Sequence, residues 1–324
     1  MSPHHYSETE KNILNRVWKF SDANEVGRIV DAFCAELRKE DRFGAGIITS
    51  LNWSLNEVLD NVFIHSEAGC GYVMGQIHQK NKQIAFTVYD GGIGIFNSLR
   101  NSTFHPRTSL DAITMAVKEE VTRDRKVGQG NGLFGLHSVV KQGRGSLEIT
   151  SGGASYRYNN GTVNTLKRIP VVSMERPGTT IDFQLNYSKD ISLSKALVFR
   201  GQEYPIVDMY IESFDDEKGN NYFSIKEHAD GTGTRVSAVR LKNEVMNLIS
   251  DTHMPVILDF KDIVVMSSSF ADELIAKLLL ELGLFQFNNL IKLRGLDIEQ
   301  QNILQRSVIQ RLVDTLNEPV NLNS

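Results

Sequence analysis

The chain has few cysteines, few tryptophans and no long apolar run. Only Cys34 and Cys70 occur among its 324 residues. They stand apart, without a CxxC pair or ligand-like histidines nearby, which argues against a disulfide scaffold or a structural zinc site and favours a reducing compartment. The longest apolar segment, ELIAKLLLELGLF, is interrupted by Lys277 and Glu281, and the polar start MSPHHYSETEKN is unlike a secretory signal. We therefore expect a soluble, cytoplasmic protein.

A marked excess of one charge is also missing. The 35 basic and 39 acidic residues give a formal net charge of -4. This balance provides no electrostatic footprint for nucleic acid or for an anionic membrane, although it does not exclude either partner. The hydrophobic fraction of 41% is ordinary for globular proteins, and the length suits two compact domains.

The first forty residues carry apolar side chains at the spacing of amphipathic helices. We expect two helices here, serving for packing or dimerisation, within an N-terminal region of residues 1–45. A polar, turn-rich bridge, ESFDDEKGNN, predicts a linker over residues 188–220. These boundaries leave domains at 46–187 and 221–324. The apolar positions of the two helices are Ile13, Leu14, Val17 and Trp18, then Val26, Ile29, Val30, Phe33 and Leu37.

Each domain has its own order of elements. In the first, a helix over about residues 47–65 precedes strand patterns such as TTIDFQL, which predict an antiparallel or mixed sheet with helices on one face. The second alternates strands and helices, which is typical of a small α/β layer. The expected fold class is α+β. Further strands are predicted at 71–79, 82–90, 145–151, 155–160, 222–228, 255–260 and 291–296, and further helices at 109–120, 236–249, 270–283 and 298–313.

Two polar side chains on the predicted helix 47–65 share a face. Glu57 and Asn61 are four residues apart, with His65 one turn further along. An amide oxygen is a suitable ligand for Mg²⁺, which favours octahedral oxygen coordination. A neighbouring carboxylate can act as a general base, so we assign Asn61 to metal and Glu57 to proton transfer. The alternative is a capping box starting at Ser54, or a solvated helix face.

A second candidate group follows the strand that ends at Asp90. A carboxylate there can accept a hydrogen bond from an exocyclic amine such as adenine N6, while Gly92 and Gly94 let the backbone approach a flat base closely. The alternative is a simple Asp-Gly hairpin turn.

A second glycine-rich segment enters the helix LFGLHSVV. Glycines at a helix start leave backbone N–H groups facing an anion, which suits phosphate oxygens. No Gly-Lys-Ser/Thr follows, so this is not a P-loop. The 33 residues between Gly94 and Gly128 are too many for a structureless loop, so they should carry a helix of their own or form a lid. The glycines are Gly128, Gly130, Gly132 and Gly135, and the cations before them, which could neutralise phosphate or simply be solvated, are Arg123, Arg125 and Lys126.

Together these motifs, with a closing Gly178-Thr-Thr-Ile-Asp182, resemble the ATP-binding domain of the GHKL or Bergerat fold over about residues 47–187. This family includes gyrase, heat-shock chaperones, histidine kinases and mismatch-repair ATPases. The acid four residues before the Asn, and the His after it, are most similar to anti-sigma factor serine kinases. The resemblance implies ATP and Mg²⁺ as ligands, a lid at 95–127, and a Bergerat-type α/β sandwich. It implies nucleotide-binding roles for Asn61, Asp90, Gly92, Gly94, Gly128, Gly130, Gly132, Leu133 and Thr179.

The segment VILDFKDIVVMSSSF resembles the strand-turn-helix of STAS domains, and SSSFADEL is similar to a STAS-like domain of unknown function, over about residues 222–315. Aligned without gaps, Ser268 falls on the serine that kinases phosphorylate in that family. Ser267 stands where the family usually has Asp, and Phe270 where it usually has Gly. The pattern from Ser269 to Asp272 also fits a helix N-cap.

Two functions follow as hypotheses. The first is a Mg-ATP-dependent serine/threonine kinase of the anti-sigma type, acting on its own C-terminal domain or on a STAS-like or sigma-factor-like partner. The second is a slow ATPase that works as an interaction switch without phosphotransfer. A sensor histidine kinase is disfavoured, because the 56 residues before Glu57 are too few for the usual two-helix dimerisation module with an acceptor His, and His4 and His5 lie in a polar tip. A homodimer is among the expected states.

Overall fold

A computed structural model of the chain describes residues 4–5, 13–100, 102–118, 132–167, 178–199, 202–203 and 221–317. The chain divides into two compact units, one of Met1–Leu37 with Phe43–Ile206 and the other of Arg38–Arg42 with Val207–Ser324. Most of the predicted linker, residues 204–220, lies outside the described residues. Within the described part of the chain, no helix has the length and apolar character needed to cross a membrane.

Among the described residues, eight strands form the sheet of the first unit. They are β1 (His4–His5), β2 (Val17–Phe20), β3 (Gly71–His78), β4 (Gln83–Asp90), β5 (Ser146–Ser151), β6 (Ala154–Asn159), β7 (Thr162–Leu166) and β8 (Thr179–Asn186). Their order across the sheet is β1-β2-β3-β4-β8-β5-β6-β7. All neighbours are antiparallel except β1 and β2, which are parallel. A short hairpin of β9 (Val198–Phe199) and β10 (Gln202–Glu203) follows.

The alternation of apolar residues determines which face of this sheet is buried. Along β4, Ile84, Phe86 and Val88 are almost fully buried, and the residues between them are more exposed. This face shares one core with the helices, so the predicted α+β fold class is confirmed. The helices are α1 (Ala23–Glu40), α2 (Ile47–Asn61), α3 (Gly94–Leu99), α4 (Ser109–Ala116), α5 (Gly132–Gln142) and α6 (Leu193–Ala196).

The prediction of a helix around Trp18 is wrong. Residues Val17–Phe20 form β2, which pairs antiparallel with β3. Asn15 has a positive φ of 62° and interrupts any helix there. The burial of Trp18 and Phe20 follows the two-residue period of a strand, and the Trp18 indole N–H donates to the Ile13 carbonyl oxygen at 2.6 Å. In the described part of the region 1–45, α1 is therefore the single helix.

The second unit contains a three-stranded parallel sheet in the order β11 (Asn221–Ser224), β12 (Val256–Asp259) and β13 (Ile291–Arg294). Its predicted alternation of strands and helices is confirmed. The first strand is shorter than predicted, because Ser224 caps a helix by accepting the Glu227 N–H at 3.4 Å. The helices are α7 (Ile225–His228), α8 (Arg235–Thr252), α9 (Ser268–Ala271), α10 (Lys277–Leu282), α11 (Leu284–Leu290) and α12 (Ile298–Asn317), with a π-helical turn, Asp272–Ala276, between α9 and α10.

Candidate functional site

The last turn of α2 and the first residue of α5 meet at Glu57 and Asn61. A Cβ atom built on Gly132 would lie 2.6 Å from Glu57 Oε2 and 3.6 Å from Asn61 Nδ2. A side chain at Gly132 would therefore displace the Glu57 carboxylate. The structure brings Glu57, Asn61 and Gly132 together, while their roles in binding and catalysis stay predictions.

The close approach of α5 to α2 explains this convergence. A Cβ on Gly135 would lie 2.3 Å from the Trp53 ring, so only glycine permits the two helices to pack at this distance. Leu136 is fully buried beside it, and Leu133 packs against the core while partly exposed. Leu133 thus helps to fix the helix that carries Gly132.

The Glu57 carboxyl lies in a partly buried position with a second acid nearby. Burial raises the pKa of Glu57, and the Asp60 carboxylate raises it further. Burial also raises the pKa of Asp60. A carboxylate whose charged form is disfavoured binds a proton more readily than an exposed one, which suits a general base. The motif analysis missed Asp60, although its position three residues after Glu57 places it on a neighbouring part of the helix surface.

Asp90 closes β4 in a buried position, with 6% of its surface exposed. The Gly92 N–H donates to its Oδ1 at 2.9 Å, and the Thr179 backbone N–H donates to the same carboxylate. Burial raises the pKa of Asp90, and these two hydrogen bonds oppose the rise. The alternative of a simple Asp-Gly hairpin turn is wrong, because the chain continues after Asp90 into the helix α3 rather than into a pairing strand.

The first glycine segment packs tightly against the π-helical turn Val62–Ser66 that extends α2. A Cβ on Gly92 would lie 2.0 Å from the Ser66 carbonyl oxygen, which accepts the Ile93 N–H at 2.8 Å. Gly94 has a φ of 75°, a conformation that favours glycine. Both glycines are therefore required by the backbone itself.

A row of polar side chains crosses three strands at this end of the sheet. Asp90 pairs with Thr179, and Thr179 pairs with Ser151, so the three side chains lie on one face. Ser151 Oγ lies 3.3 Å from Thr179 Oγ1 and accepts the Ile95 N–H at 3.0 Å. The sequence motifs missed Ser151. The available signal was a polar residue at the end of an apolar alternation, after Leu147 and Ile149.

Part of the second glycine segment lies outside the described residues. Gly128 and Gly130 are not among the described residues, and neither are the predicted phosphate-neutralising cations at 123, 125 and 126. Of the predicted lid, α3 and α4 are described, whereas residues 101 and 119–127 are not. In the described part of the chain, no group of three or more His, Cys, Asp and Glu side chains is arranged to hold a metal ion.

In the second unit, Ser268 is the first residue of α9 and is exposed. The N-cap predicted at Ser269 is wrong, because α9 begins two residues earlier. Ser267 is the cap, and its hydroxyl accepts the Phe270 N–H at 3.1 Å. Phe270 is fully buried in the core of this unit.

Several solved structures resemble part of the chain, among them a histidine kinase and a topoisomerase domain. The mycobacterial sensor histidine kinase MprB is 19% identical, with a TM-score of 0.29, over 53% of this chain and 98% of that one. The ATP-binding domain of topoisomerase IV from Francisella tularensis, in complex with a small molecule inhibitor, is 19% identical, with a TM-score of 0.25, over 50% of this chain. The match spans 43% of the topoisomerase chain.

Among curated proteins no sequence matches the chain. A family model does match in the second unit. Residues 237–301 fit the STAS-like domain of unknown function DUF4325. The matched range includes α9 and Ser268. The chain therefore contains the STAS-like domain that its SSSFADEL segment predicts.

Proposed function

We propose that the first unit binds Mg-ATP and that the chain is an ATP-dependent serine/threonine kinase of the anti-sigma type in a partner-switching system. The observation that carries this proposal is the convergence of Glu57, Asn61 and Gly132, where the absence of a side chain on Gly132 lets a carboxylate and an amide lie against the start of α5. A helix start beside an amide and a carboxylate suits a magnesium-bound phosphate chain.

Each residue has a distinct role in this proposal. Asp90 accepts a hydrogen bond from the exocyclic amine of adenine, beside Thr179. Asn61 would supply one oxygen ligand to Mg²⁺, whose other ligands would come from phosphates and water. We assign phosphate binding to the backbone N–H groups of Gly128, Gly130 and Gly132, of which Gly132 lies among the described residues. When bound, Mg-ATP would supply the γ-phosphoryl group, with ADP as the leaving group.

Glu57 acts as the general base. Its carboxylate takes the proton from an incoming hydroxyl, which makes the hydroxyl oxygen a better nucleophile. The raised pKa of Glu57 supports this role, because burial and the Asp60 charge favour uptake of that proton.

The phosphoacceptor is Ser268 or the equivalent serine of a STAS-like partner. Ser267 is engaged in capping, whereas Ser268 is exposed at the helix start. A phosphate there adds about -1.5 to -2 charges at neutral pH and changes what the domain can dock with. The resemblance to anti-sigma kinases makes a regulatory protein the expected partner, a homodimer an expected state and the cytoplasm the expected location.

A time course with γ-labelled ATP and magnesium tests the proposal. Stable label on protein, assigned by mass spectrometry to Ser268 and lost in Ser268→Ala, supports transfer. Label released only as inorganic phosphate, with the partner supplied, supports the alternative of an ATP-driven switch without phosphotransfer.

Asn61→Ala should abolish magnesium-dependent ATP binding in a folded protein. Asn56→Ala is the matched control on α2, since the Asn56 amide is engaged with the Asn52 side chain and carbonyl. Equal loss in both variants, or no calorimetric signal from the wild-type protein, overturns the proposed site.

A further inference from the structure

The start of α3 lacks a cap from its own sequence. Its first N–H groups have no intrahelical partner, and Ile93, the residue before the helix, makes no side-chain cap hydrogen bond. The cap comes instead from a distant strand, because Ser151 Oγ at the end of β5 accepts the Ile95 N–H at 3.0 Å. Ser151 thus ties the helix that follows Asp90, Gly92 and Gly94 to the sheet.

The same hydroxyl reaches the candidate base-binding residues from the other side. Ser151 Oγ lies 3.3 Å from Thr179 Oγ1, and Ser151 and Thr179 are directly paired across β5 and β8. Thr179 in turn donates its backbone N–H to the Asp90 carboxylate. One side chain therefore connects both segments that flank Asp90.

Burial makes these contacts stable in position. Ser151 is 2% exposed and Thr179 8% exposed. A buried hydroxyl is held by its partners rather than by water, and removing it leaves those partners without a hydrogen bond.

We infer that Ser151 is a positioning residue, which sets the Thr179 hydroxyl and the start of α3 around a purine base that Asp90 holds by its exocyclic amine. Ser151 acts through Thr179 and Ile95 rather than by touching the base. The inference rests on the proposed function, since it deepens the role given to Asp90 in ATP binding.

Nucleotide selectivity separates positioning from a general structural role. ATP carries the exocyclic amine at C6, and inosine triphosphate carries an oxygen there, so a well-placed Asp90 carboxylate prefers ATP. One net hydrogen bond of ordinary strength corresponds to about tenfold in affinity. In Ser151→Ala, ATP should bind about tenfold more weakly while inosine triphosphate binding changes little, so the ratio falls towards one. A merely structural loss would weaken both nucleotides equally.

Three further variants complete the experiment. Ser151→Thr keeps the hydroxyl and should restore the wild-type ratio. Thr150→Ala removes a hydroxyl from the residue of β5 that precedes Ser151 and points to the opposite face of the sheet. This variant should leave the ratio of ATP to inosine triphosphate affinity unchanged. If Ser151→Ala does not fold, Ser151→Cys replaces it, because the thiol is similar in shape but a weak acceptor.

Backbone amide exchange at Ile95, measured by NMR without nucleotide, provides an independent measurement. Exchange should be faster in Ser151→Ala than in Thr150→Ala and the wild-type protein. Wild-type selectivity that persists in Ser151→Ala, or unchanged exchange at Ile95, overturns the role of Ser151 and leaves the proposed ATP site intact. A wild-type protein that binds neither nucleotide overturns both proposals.

Discussion

The two units bury carboxylates in opposite electrostatic settings. In the first, burial raises the pKa of Glu57 and of Asp90, and among the described residues no cation contributes to either pKa shift. In the second, Asp272 is held by Arg311 through hydrogen bonds of 2.8 and 2.5 Å, which lower the pKa of Asp272. Its neighbour Glu273 contacts three cations, Arg235, Lys242 and Lys277.

This difference separates acids that are paired with cations in the fold from the acids that we propose serve a ligand. A buried carboxylate with matched cations contributes to the native state or is neutral, and breaking the match is costly. A buried carboxylate without such cations makes ionisation unfavourable, so its retention points to function. The comparison predicts that neutralising an acid paired with cations, such as Glu273, damages stability. Neutralising an acid without such cations, such as Glu57, should damage nucleotide chemistry while stability is kept.

Glu57→Gln should produce the largest effect. Loss of the base should lower turnover by about 10²-fold or more, with ATP binding retained. Folding stability should not fall, because the substitution removes a charge that burial disfavours. Single-turnover kinetics and calorimetry on the same sample measure the two quantities. Unchanged turnover would remove the general-base assignment.

Glu273→Gln should show the reverse pattern. The variant leaves the buried Lys242 ammonium without one of its two acids, and the expected loss of unfolding free energy is about 3 kcal/mol. Urea denaturation followed by circular dichroism measures it. The exposed Glu299→Gln on α12 is the control and should stay within about 0.5 kcal/mol of wild type. ATP affinity of the folded variant should match wild type, and a weaker affinity would contradict the division between the two settings.

Asp90→Asn should lower ATP affinity by about tenfold, since an amide offers a poorer acceptor to the exocyclic amine. Its effect on stability depends on pH. Because the pKa of Asp90 is raised in the folded protein, the folded state binds the proton more tightly than the unfolded state. Stability from this group is fully present below its unfolded pKa and is lost as pH rises through the raised pKa. Asp90→Asn should remove this loss of unfolding free energy at higher pH. Parallel urea titrations of the variant and the wild-type protein at several pH values measure it. An identical pH dependence of stability in both proteins would contradict the raised pKa of Asp90.

Local spacing was sufficient to predict several parts of the site. Glu57 and Asn61 share a face because helical geometry requires it at a separation of four residues. Asp90 was identifiable because an apolar alternation ends in a carboxylate followed by glycines. That Gly132 lies against Glu57 depends on long-range packing of α5 on α2, which no local spacing encodes.

The errors also have physical causes. The segment around Trp18 has helical spacing, but tertiary pairing with β3 and the positive φ of Asn15 make it a strand. Strand β7 was missed because all of its residues are exposed, so it has no apolar alternation. Ser151 was missed because its partners, Ile95 and Thr179, are far away in sequence.

Gly132→Ala should give the smallest effect and the finest test of the comparison. The new Cβ meets the end of a flexible side chain, Glu57, rather than backbone, so the fold should tolerate it and gain up to about 0.5 kcal/mol from the helix propensity of alanine. Turnover should nevertheless fall by about fivefold, because the Glu57 carboxylate must move. Gly27→Ala in α1 is the matched control, since nothing lies within 4 Å of its Cβ, and it should gain similar stability with full turnover. Equal turnover in the two alanine variants would show that the position of the Glu57 carboxylate does not limit the reaction.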